Sequence, residues 1–224
     1  ATIDREYLRV HQDNTGFFGF FDTVHDVDVA RALLERASAW LRSRGVTRMF
    51  GPISLYFNDE VGCLIEGFEH APNLMMAHSR RYQSSLIEAC GCEKEKDLLC
   101  WRYDATLPFP KRVIKAWEEV QRLPEVKLRS IDIKHLDAEM KNVMEIYNDA
   151  WEGKWGMVPA LPEETKKVVQ DMRLILDPEI AFIAEVDGQA AGMCILLPNL
   201  NEALAGLDGK LMNHGLPIGA ARLL

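Results

Sequence analysis

The amino-acid sequence predicts an α/β fold with a mixed (α+β) sheet, and three observations carry this prediction. A strand–helix–strand pattern occupies residues 16–50. From Val126 onward the predicted order is strand, helix, helix, strand, turn, strand. The dipeptide Asp187-Gly188 between two apolar runs is a strong signal for a β-hairpin. The 224 residues suffice for one large domain or two smaller ones.

The first strand–helix–strand unit begins with an aromatic segment. Gly16–Phe21 is β-prone, and we expect its four phenylalanines to pack in a core strand. Asp26 precedes a helix with apolar residues three and four positions apart, and Gly45 suits a left-handed cap at its end. Residues 46–50 form the next predicted strand before Gly51-Pro52 interrupts it, and this spacing favours parallel pairing. Two further elements are predicted in this region, a helix over 79–90 and a strand over 98–103.

A proline-flanked amphipathic helix over 109–123 is predicted to form most of a connector, residues 106–125, between two lobes. Pro162 suits the first turn of a later helix, because the N–H that proline lacks has no intrahelical partner there. The elements predicted beyond the connector are strands over 126–133, 180–186 and 189–197 and helices over 137–151 and 162–176.

The composition excludes several classes of protein. Hydrophobic residues make up 48% and charged residues 27%, as in an ordinary globular chain and unlike a disordered, collagenous or disulfide-stapled one. The net charge of −8 argues against a nucleic-acid partner, because phosphate binding needs clustered lysines and arginines. No apolar stretch approaches the roughly 20 residues that span a bilayer, so no transmembrane segment is expected.

The cysteines indicate the cellular compartment, and the ends of the chain indicate whether the sequence is a fragment. Five cysteines, an odd number, without a secretory signal favour a reducing, cytoplasmic environment. No second Cys or His pair stands at zinc spacing, so no metal is expected.

The chain begins at Ala1 without an initiator methionine and stops in a helix-forming run without a stop signal. We therefore expect an internal fragment of a longer protein.

Several motifs resemble known proteins. The segment DPEIAFIAEVDGQAAGMCILLPN resembles the opening half of an acyltransferase fold of the GNAT superfamily. Further motifs resemble a bacterial family of tandem GNAT-like N-acyltransferases, whose relatives include bacterial ceramide-synthase-type enzymes that acylate a long-chain amine. The motifs that carry this second resemblance are GFFGFFD, VARALLERASAWLRSRG, NDEVGCLIEGFEHAP, YQSSLIEACG, KDLLCW, NDAWEGKWGMVP and LPNLNEAL.

This resemblance implies a GNAT-like acyl-CoA N-acyltransferase fold, with parts of two lobes present. Residues 1–105 match the C-terminal half of a first lobe, 106–125 a linker helix, and 126–224 the N-terminal half of a second lobe. The resemblance also implies acyl-CoA as a co-substrate of the parent protein, and a small-molecule amine or amphipathic acceptor. Because each half-lobe would expose unpaired strands, we expect the halves to share one composite sheet or to form a homodimer.

Coenzyme A binding by this chain is expected to be weak. In GNAT enzymes a glycine-containing loop and the following helix N-terminus hold the pyrophosphate. The equivalent loop of the first lobe, Asp22–Asp28, has no glycine and three carboxylates, so like charges would meet there. The corresponding loop of the second lobe would lie past Leu224, so the cofactor-binding residues stay unknown. We predict that residues 1–224 bind acyl-CoA with a dissociation constant no lower than about 1 mM, which corresponds to a binding free energy of roughly −4 kcal/mol.

The polar segment after Gly51-Pro52 offers the first site candidates. Acyl transfer to an amine needs a base for the ammonium proton and donors for the tetrahedral oxyanion. Asp59 and Glu60 are catalytic candidates, because they follow the carboxyl end of a parallel strand, where open α/β sheets bind ligands. Asn58 and Glu66 are substrate-binding candidates in the same irregular stretch. The alternative is that these side chains cap helices and brace a turn.

The remaining candidates depend on the resemblance. Tyr82 lies early in a helix, where GNAT enzymes often carry a tyrosine as the catalytic acid, and the alternative is an aromatic core residue. Asn148, Trp151 and Trp155 lie in the region that covers the acceptor site in GNAT folds, where they would line an amphipathic cleft. The alternative for these three residues is a hydrophobic loop plug.

Two functions therefore stay open. The first is an acyl-CoA-dependent N-acyltransferase in the parent protein, inactive as this fragment. The second is a non-catalytic GNAT-like binding or scaffolding module. The acidic loop Asp22–Asp28 favours the second function for the first lobe, whereas the intact opening half of the second lobe favours the first function for the parent protein.

Overall fold

The computed structural model describes residues 1–73, 76–173, 175–205, 207, 210 and 212. Its chain divides into two compact units, one of residues 1–98 with 155–158 and the described residues from 199 onward, the other of the described residues in 99–154 and 159–198. The described strands form a two-stranded parallel sheet in the first unit and a three-stranded antiparallel sheet in the second. The chain is thus mixed α/β with small sheets, as predicted.

The first unit contains the predicted parallel strand–helix–strand arrangement. Its elements are α1 Arg5–His11, β1 Thr15–Phe17, α2 Val27–Arg42, β2 Arg48–Phe50, α3 Gln83–Ala89 and α7 Leu200–Leu204. Strands β1 and β2 pair in parallel, with Phe17 opposite Phe50. Helix α2 begins where Asp26 accepts hydrogen bonds from two backbone N–H groups, and Gly45 follows its end at a φ of +81°. These local signals explain why this unit could be predicted.

The aromatic segment of the first unit differs from the prediction. Strand β1 ends at Phe17, and although Phe18 is buried, the Phe20 side chain is 72% exposed. The chain turns at Gly19, where a Cβ would overlap the carbonyl group of Ile53 and lie 2.8 Å from the Ser54 Cα. Of the four phenylalanines only Phe17 therefore lies in a strand, and the expectation of core packing is wrong for Phe20.

Two other segments were predicted incorrectly. Residues 98–103 form no strand, and Leu99 and Trp101 are 73% and 85% exposed. Alternating apolar residues form a strand only where a neighbouring strand supplies hydrogen bonds, and no described strand pairs with this segment. At the N-terminus, the prediction missed α1, which Asp4 caps by accepting hydrogen bonds from the N–H groups of Glu6 and Tyr7.

The second unit packs helices on an antiparallel sheet. Its elements are α4 Lys111–Val120, β3 Val126–Ser130, a 3₁₀ turn at Ile133–His135, α5 Leu136–Trp151, α6 Pro162–Met172, β4 Ala181–Val186 and β5 Gln189–Ile195. Asp187 and Gly188 both have positive φ, at +51° and +77°, as a type I′ hairpin turn requires. Leu136 and Met140 of α5 form a core with Ala181 and Ile183 of β4. The predicted hairpin is confirmed.

The expectation of one composite sheet is wrong for the described strands, which pair only within two separate sheets. Strand β1 is held by β2 and by an isolated bridge from Thr2 to Phe17, and β3 pairs only with β4. Homodimer formation, the other expected way to cover strand edges, stays a prediction.

Candidate functional site

An open cavity of about 860 Å³ lies in the first unit. Its walls come from the loop after β1, from the turn that follows Gly51-Pro52, and from the segment that leads into α3. Both apolar and charged side chains line it. The lining residues are Phe20, Phe21, Asp22, Pro52, Ser54, Glu60, Gly62, Cys63, Phe68, Ala77, His78, Ser79, Arg80, Arg81 and Gln83.

Gln83 connects two of the three walls. Its side chain is buried, and its Nε2 donates to the carbonyl oxygen of Phe21 at 2.8 Å and to Oδ1 of Asp22 at 3.2 Å. Its Oε1 accepts a hydrogen bond from the backbone N–H of Arg80 at 2.7 Å. A buried amide bonded on both sides fixes the segments that it joins. Sequence reasoning missed Gln83, because a glutamine in the first turn of a helix carries no signal of such contacts.

The turn that carries Glu60 is closed by backbone hydrogen bonds. Ser54 N donates to the carbonyl oxygen of Glu60 at 2.9 Å, and Gly62 N donates to that of Pro52 at 2.8 Å. Ile53 N donates to the carbonyl oxygen of Phe18 at 2.7 Å, which joins this turn to the segment after β1. The backbone of Glu60 is therefore held against the sheet, while its side chain is exposed in the cavity.

The charged groups of the cavity are only partly paired. Among the described residues, neither the Glu60 carboxylate nor the Arg80 guanidinium forms a hydrogen bond or an ion pair. The guanidinium of Arg81 lies over the ring of Phe68, 4.4 Å from its centroid. A guanidinium stacked in this way keeps the N–H groups around its edge available for an anion.

The three hydroxyl and thiol side chains of the cavity, Ser54, Cys63 and Ser79, are not activated, and Ser54 Oγ accepts a hydrogen bond from Phe20 N at 3.4 Å. Burial raises the pKa of the Cys63 thiol, and the Glu60 carboxylate raises it further, against an opposing hydrogen bond from Ser79. Cys63 is therefore a neutral thiol at pH 7. The Ser79 Oγ accepts a hydrogen bond from Leu64 N at 3.0 Å, so this hydroxyl already serves the backbone. None of these side chains is therefore set up for nucleophilic attack.

The structure brings only one of the predicted site residues into this cavity, namely Glu60. Asp59 lies in the same turn, where its Oδ1 accepts a hydrogen bond from Glu60 N at 3.0 Å. Asn58 Nδ2 donates to the carbonyl oxygen of Val158 at 3.0 Å. Glu66 is exposed and lies outside the cavity lining. Asp59 and Asn58 thus hold the turn that presents Glu60.

Tyr82 lies beside the loop that follows β1, outside the lining of the cavity. Its hydroxyl donates to the carbonyl oxygen of Thr23 at 2.8 Å. Its ring stacks on His25, with 4.6 Å between the centroids and an angle of 13° between the planes. In this arrangement Tyr82 tethers the loop to the start of α3.

The predicted acceptor-site residues at the end of α5 and after it divide between the two units. Trp155 belongs to the first unit and packs edge-on against Phe57, with 5.1 Å between the ring centroids. In the second unit, Asn148 Oδ1 accepts a hydrogen bond from Ala160 N at 3.2 Å. Trp151 of that unit is 47% exposed, 5.9 Å from the ring centroid of Tyr147. None of the predicted residues Asn148, Trp151 and Trp155 lines the cavity.

The carboxylates of the acidic loop Asp22–Asp28 have local partners. Asp26 caps α2, Asp28 forms an ion pair with Arg31 at 2.8 Å, and Asp22 accepts the hydrogen bond from Gln83. These carboxylates are held in place by their partners, and their negative charges would repel a diphosphate at this loop.

Two searches over the described part of the chain were negative. No group of three or more His, Cys, Asp or Glu side chains is arranged there to hold a metal ion. None of the helices described is both long enough and apolar enough to cross a membrane.

Comparison with known proteins gives two relatives. A protein of Caulobacter vibrioides (strain NA1000 / CB15N) named bacterial ceramide synthase is 38% identical over 211 residues, which are 93% of this chain and 53% of that protein. Protein YghO of Escherichia coli (strain K12) is 36% identical over 225 residues, 100% of this chain and 56% of that protein. The chain is thus a relative of ceramide-synthase-type proteins, and it spans about half the length of the curated relatives it matches. No family model and no solved structure matches it.

Proposed function

We propose that this chain is part of an N-acyltransferase of the GNAT type, which moves an acyl group from acyl-CoA to an amine. In this proposal the cavity of the first unit receives the amine. The observation that carries it is the Glu60 carboxylate, exposed in the cavity without a hydrogen-bond or ion-pair partner among the described residues. The similarity to a protein named bacterial ceramide synthase supports an acyltransferase-type activity.

The proposed chemistry needs one proton acceptor and one anion-stabilising group. The Glu60 carboxylate accepts a proton from the ammonium group, and the neutral amine attacks the thioester carbonyl carbon. As the C–N bond forms, negative charge develops on the carbonyl oxygen, and a hydrogen-bond donor facing that oxygen has to stabilise it. The C–S bond then breaks, and the CoA thiolate leaves and takes up the amine's second proton.

The other candidate residues have supporting roles in this proposal. Asp59 and Asn58 position the Glu60 turn through the hydrogen bonds to Glu60 N and to the Val158 carbonyl oxygen. Tyr82 can act as the acid for the thiolate only after its hydroxyl leaves the Thr23 carbonyl oxygen. The acceptor-binding roles of Glu66, Asn148, Trp151 and Trp155 rest on the GNAT resemblance alone and stay predictions.

The proposed role of Glu60 predicts a loss of amide formation in the variant Glu60→Gln. The protein to assay is a hybrid in which this chain replaces the aligned segment of the Caulobacter relative, with the chain alone measured alongside. With acyl-CoA and dodecylamine as substrates, we expect amide from the hybrid and none from the chain alone. Loss of the base lowers kcat at least about 100-fold, as measured by mass spectrometry of the amide.

The matched control is Glu88→Gln, which removes an exposed carboxylate of α3 that lies outside the cavity. It should retain the activity of the unaltered hybrid. Equal activity of the Glu60→Gln hybrid and its parent would contradict the base assignment. A hybrid that binds dodecylamine through Glu60 but forms no amide would favour the second candidate function, a non-catalytic binding module, which the acidic loop Asp22–Asp28 supports.

The chain by itself is expected to bind acetyl-CoA and longer acyl-CoA no better than about millimolar. Asp22 and Asp26 are held in the loop where GNAT enzymes place the pyrophosphate, and no glycine there admits a phosphate to the backbone. Calorimetric titration measures the constant. A micromolar constant that a Glu60 or Tyr82 substitution abolishes would overturn this prediction.

A further inference from the structure

The cavity that holds Glu60 contains charges of both signs. Two carboxylates, Asp22 and Glu60, and two guanidiniums, Arg80 and Arg81, line it. Asp22 already accepts a hydrogen bond from Gln83. Among the described residues, neither guanidinium forms an ion pair with a carboxylate, although both share the cavity with two of them.

The two arginines are held at the cavity wall by different means. The backbone N–H of Arg80 donates to the buried Oε1 of Gln83 at 2.7 Å. The guanidinium of Arg81 lies 4.4 Å from the ring centroid of Phe68, and the ring occupies one face of it. The planar edge of such a guanidinium carries N–H donors in the geometry that matches a carboxylate or a phosphate. The wall is therefore arranged for an anion.

A simple alkylamine would pair with Glu60 and leave both guanidiniums without an anion. We propose that the acceptor is an amphipathic zwitterion, in which a carboxylate or phosphate stands close to the primary amine. Glu60 binds the ammonium, Arg80 and Arg81 bind the anion, and the apolar chain lies along the exposed ring of Phe20. This inference rests on the proposed function, since it specifies the acceptor of the same site.

The test uses probes with the same apolar chain and different charged groups. The probe 2-aminododecanoic acid carries both charges, its methyl ester lacks the anion, dodecanoic acid lacks the amine, and 2-aminododecyl phosphate replaces the carboxylate. We expect the chain to bind at least one of the two zwitterions about tenfold more tightly than the ester or dodecanoic acid, by calorimetry. The tighter of the carboxylate and phosphate probes identifies the anion.

Two variants assign this preference to the arginines. Arg80→Gln and Arg81→Gln should each lower the affinity for the zwitterion toward that of the ester, while dodecylamine binds as to the unaltered chain. The matched control is Arg36→Gln, an exposed arginine of α2 outside the cavity, which should change neither affinity. All three side chains are exposed, so the variants should fold.

The outcomes separate this inference from the function on which it rests. If the ester binds as tightly as both zwitterions, or if the arginine variants keep the preference, the inference is wrong while a Glu60-dependent amine site stands. If dodecylamine binding does not change in Glu60→Gln, the amine site of the proposed function is wrong. If dodecanoic acid binds as tightly as the zwitterions, the cavity is an anion site and both proposals fail.

Discussion

Replacing Arg129 with methionine is expected to destabilise the second unit by about 2–3 kcal/mol. Arg129 on β3 joins the carboxylate of Glu139 on α5, at 2.9 Å, to that of Glu185 on β4, at 2.5 Å. Glu139 is buried, and its Oε2 has no hydrogen-bond partner among the described residues, so the lost guanidinium would leave a buried carboxylate unpaired. This loss is smaller than the roughly 3–5 kcal/mol typical of breaking a fully buried ion pair, because a quarter of the Arg129 side chain is exposed.

Hydrogen exchange of the β3–β5 amides measures this loss in the second unit itself. The matched control is Lys134→Met, an exposed cation of the 3₁₀ turn that follows β3, which should change protection little. Adding Glu139→Met to Arg129→Met should recover most of the stability, because the unpaired carboxylate is then gone. A double variant as unstable as the single one would show that the loss comes from packing of the arginine stem.

The same arginine predicts a pH dependence. Its hydrogen bond lowers the pKa of the Glu185 carboxyl below the ordinary value. A carboxyl whose pKa is lower in the folded than in the unfolded state stabilises the fold. The stabilisation is complete above the unfolded-state pKa, near 4, and is lost as the pH falls through the lowered pKa of the folded state. In Arg129→Met, the decrease in the free energy of unfolding that protonation of Glu185 causes at low pH should be absent.

Gly19→Ala is expected to destabilise the first unit by about 3 kcal/mol and to abolish ligand binding in the cavity. The added methyl group would overlap the carbonyl group of Ile53 and lie 2.8 Å from the Ser54 Cα, and both obstacles are backbone, which cannot rotate away. The residues that follow, Phe20 and Phe21, line the cavity, as does Ser54. Movement of either segment therefore changes the site.

Chemical denaturation and dodecylamine titration measure the two effects of Gly19→Ala. The matched control is Gly192→Ala on β5, where a Cβ would meet its nearest neighbour, the Ala184 Cβ, at an ordinary 3.7 Å. That variant should unfold and bind as the unaltered chain does. A Gly19→Ala protein of undiminished stability would mean that the close approach at Ile53 is relieved by a small backbone shift.

The elements that were predicted correctly have local causes. Helix α2 follows from its Asp26 cap, from apolar residues at helical spacing and from Gly45 at positive φ. The β4–β5 hairpin follows from Asp187-Gly188, because these two residues adopt the positive φ values that the turn needs. The site was predicted less well, and Glu60 is the candidate that lines the cavity. Its position after a strand and a Gly-Pro turn was the only local signal available.

The mixed α/β class, the parallel strand–helix–strand unit and the antiparallel hairpin are all predictable from the order of the residues. Those features depend on contacts within a few residues or on hydrophobic periodicity. Three features depend instead on contacts between residues far apart in the sequence. Residues 98–103 pair with no described strand, Phe20 is exposed to solvent, and Gln83 joins Asp22 to Arg80 at the cavity. A hydrogen bond across 61 residues leaves no trace in local periodicity.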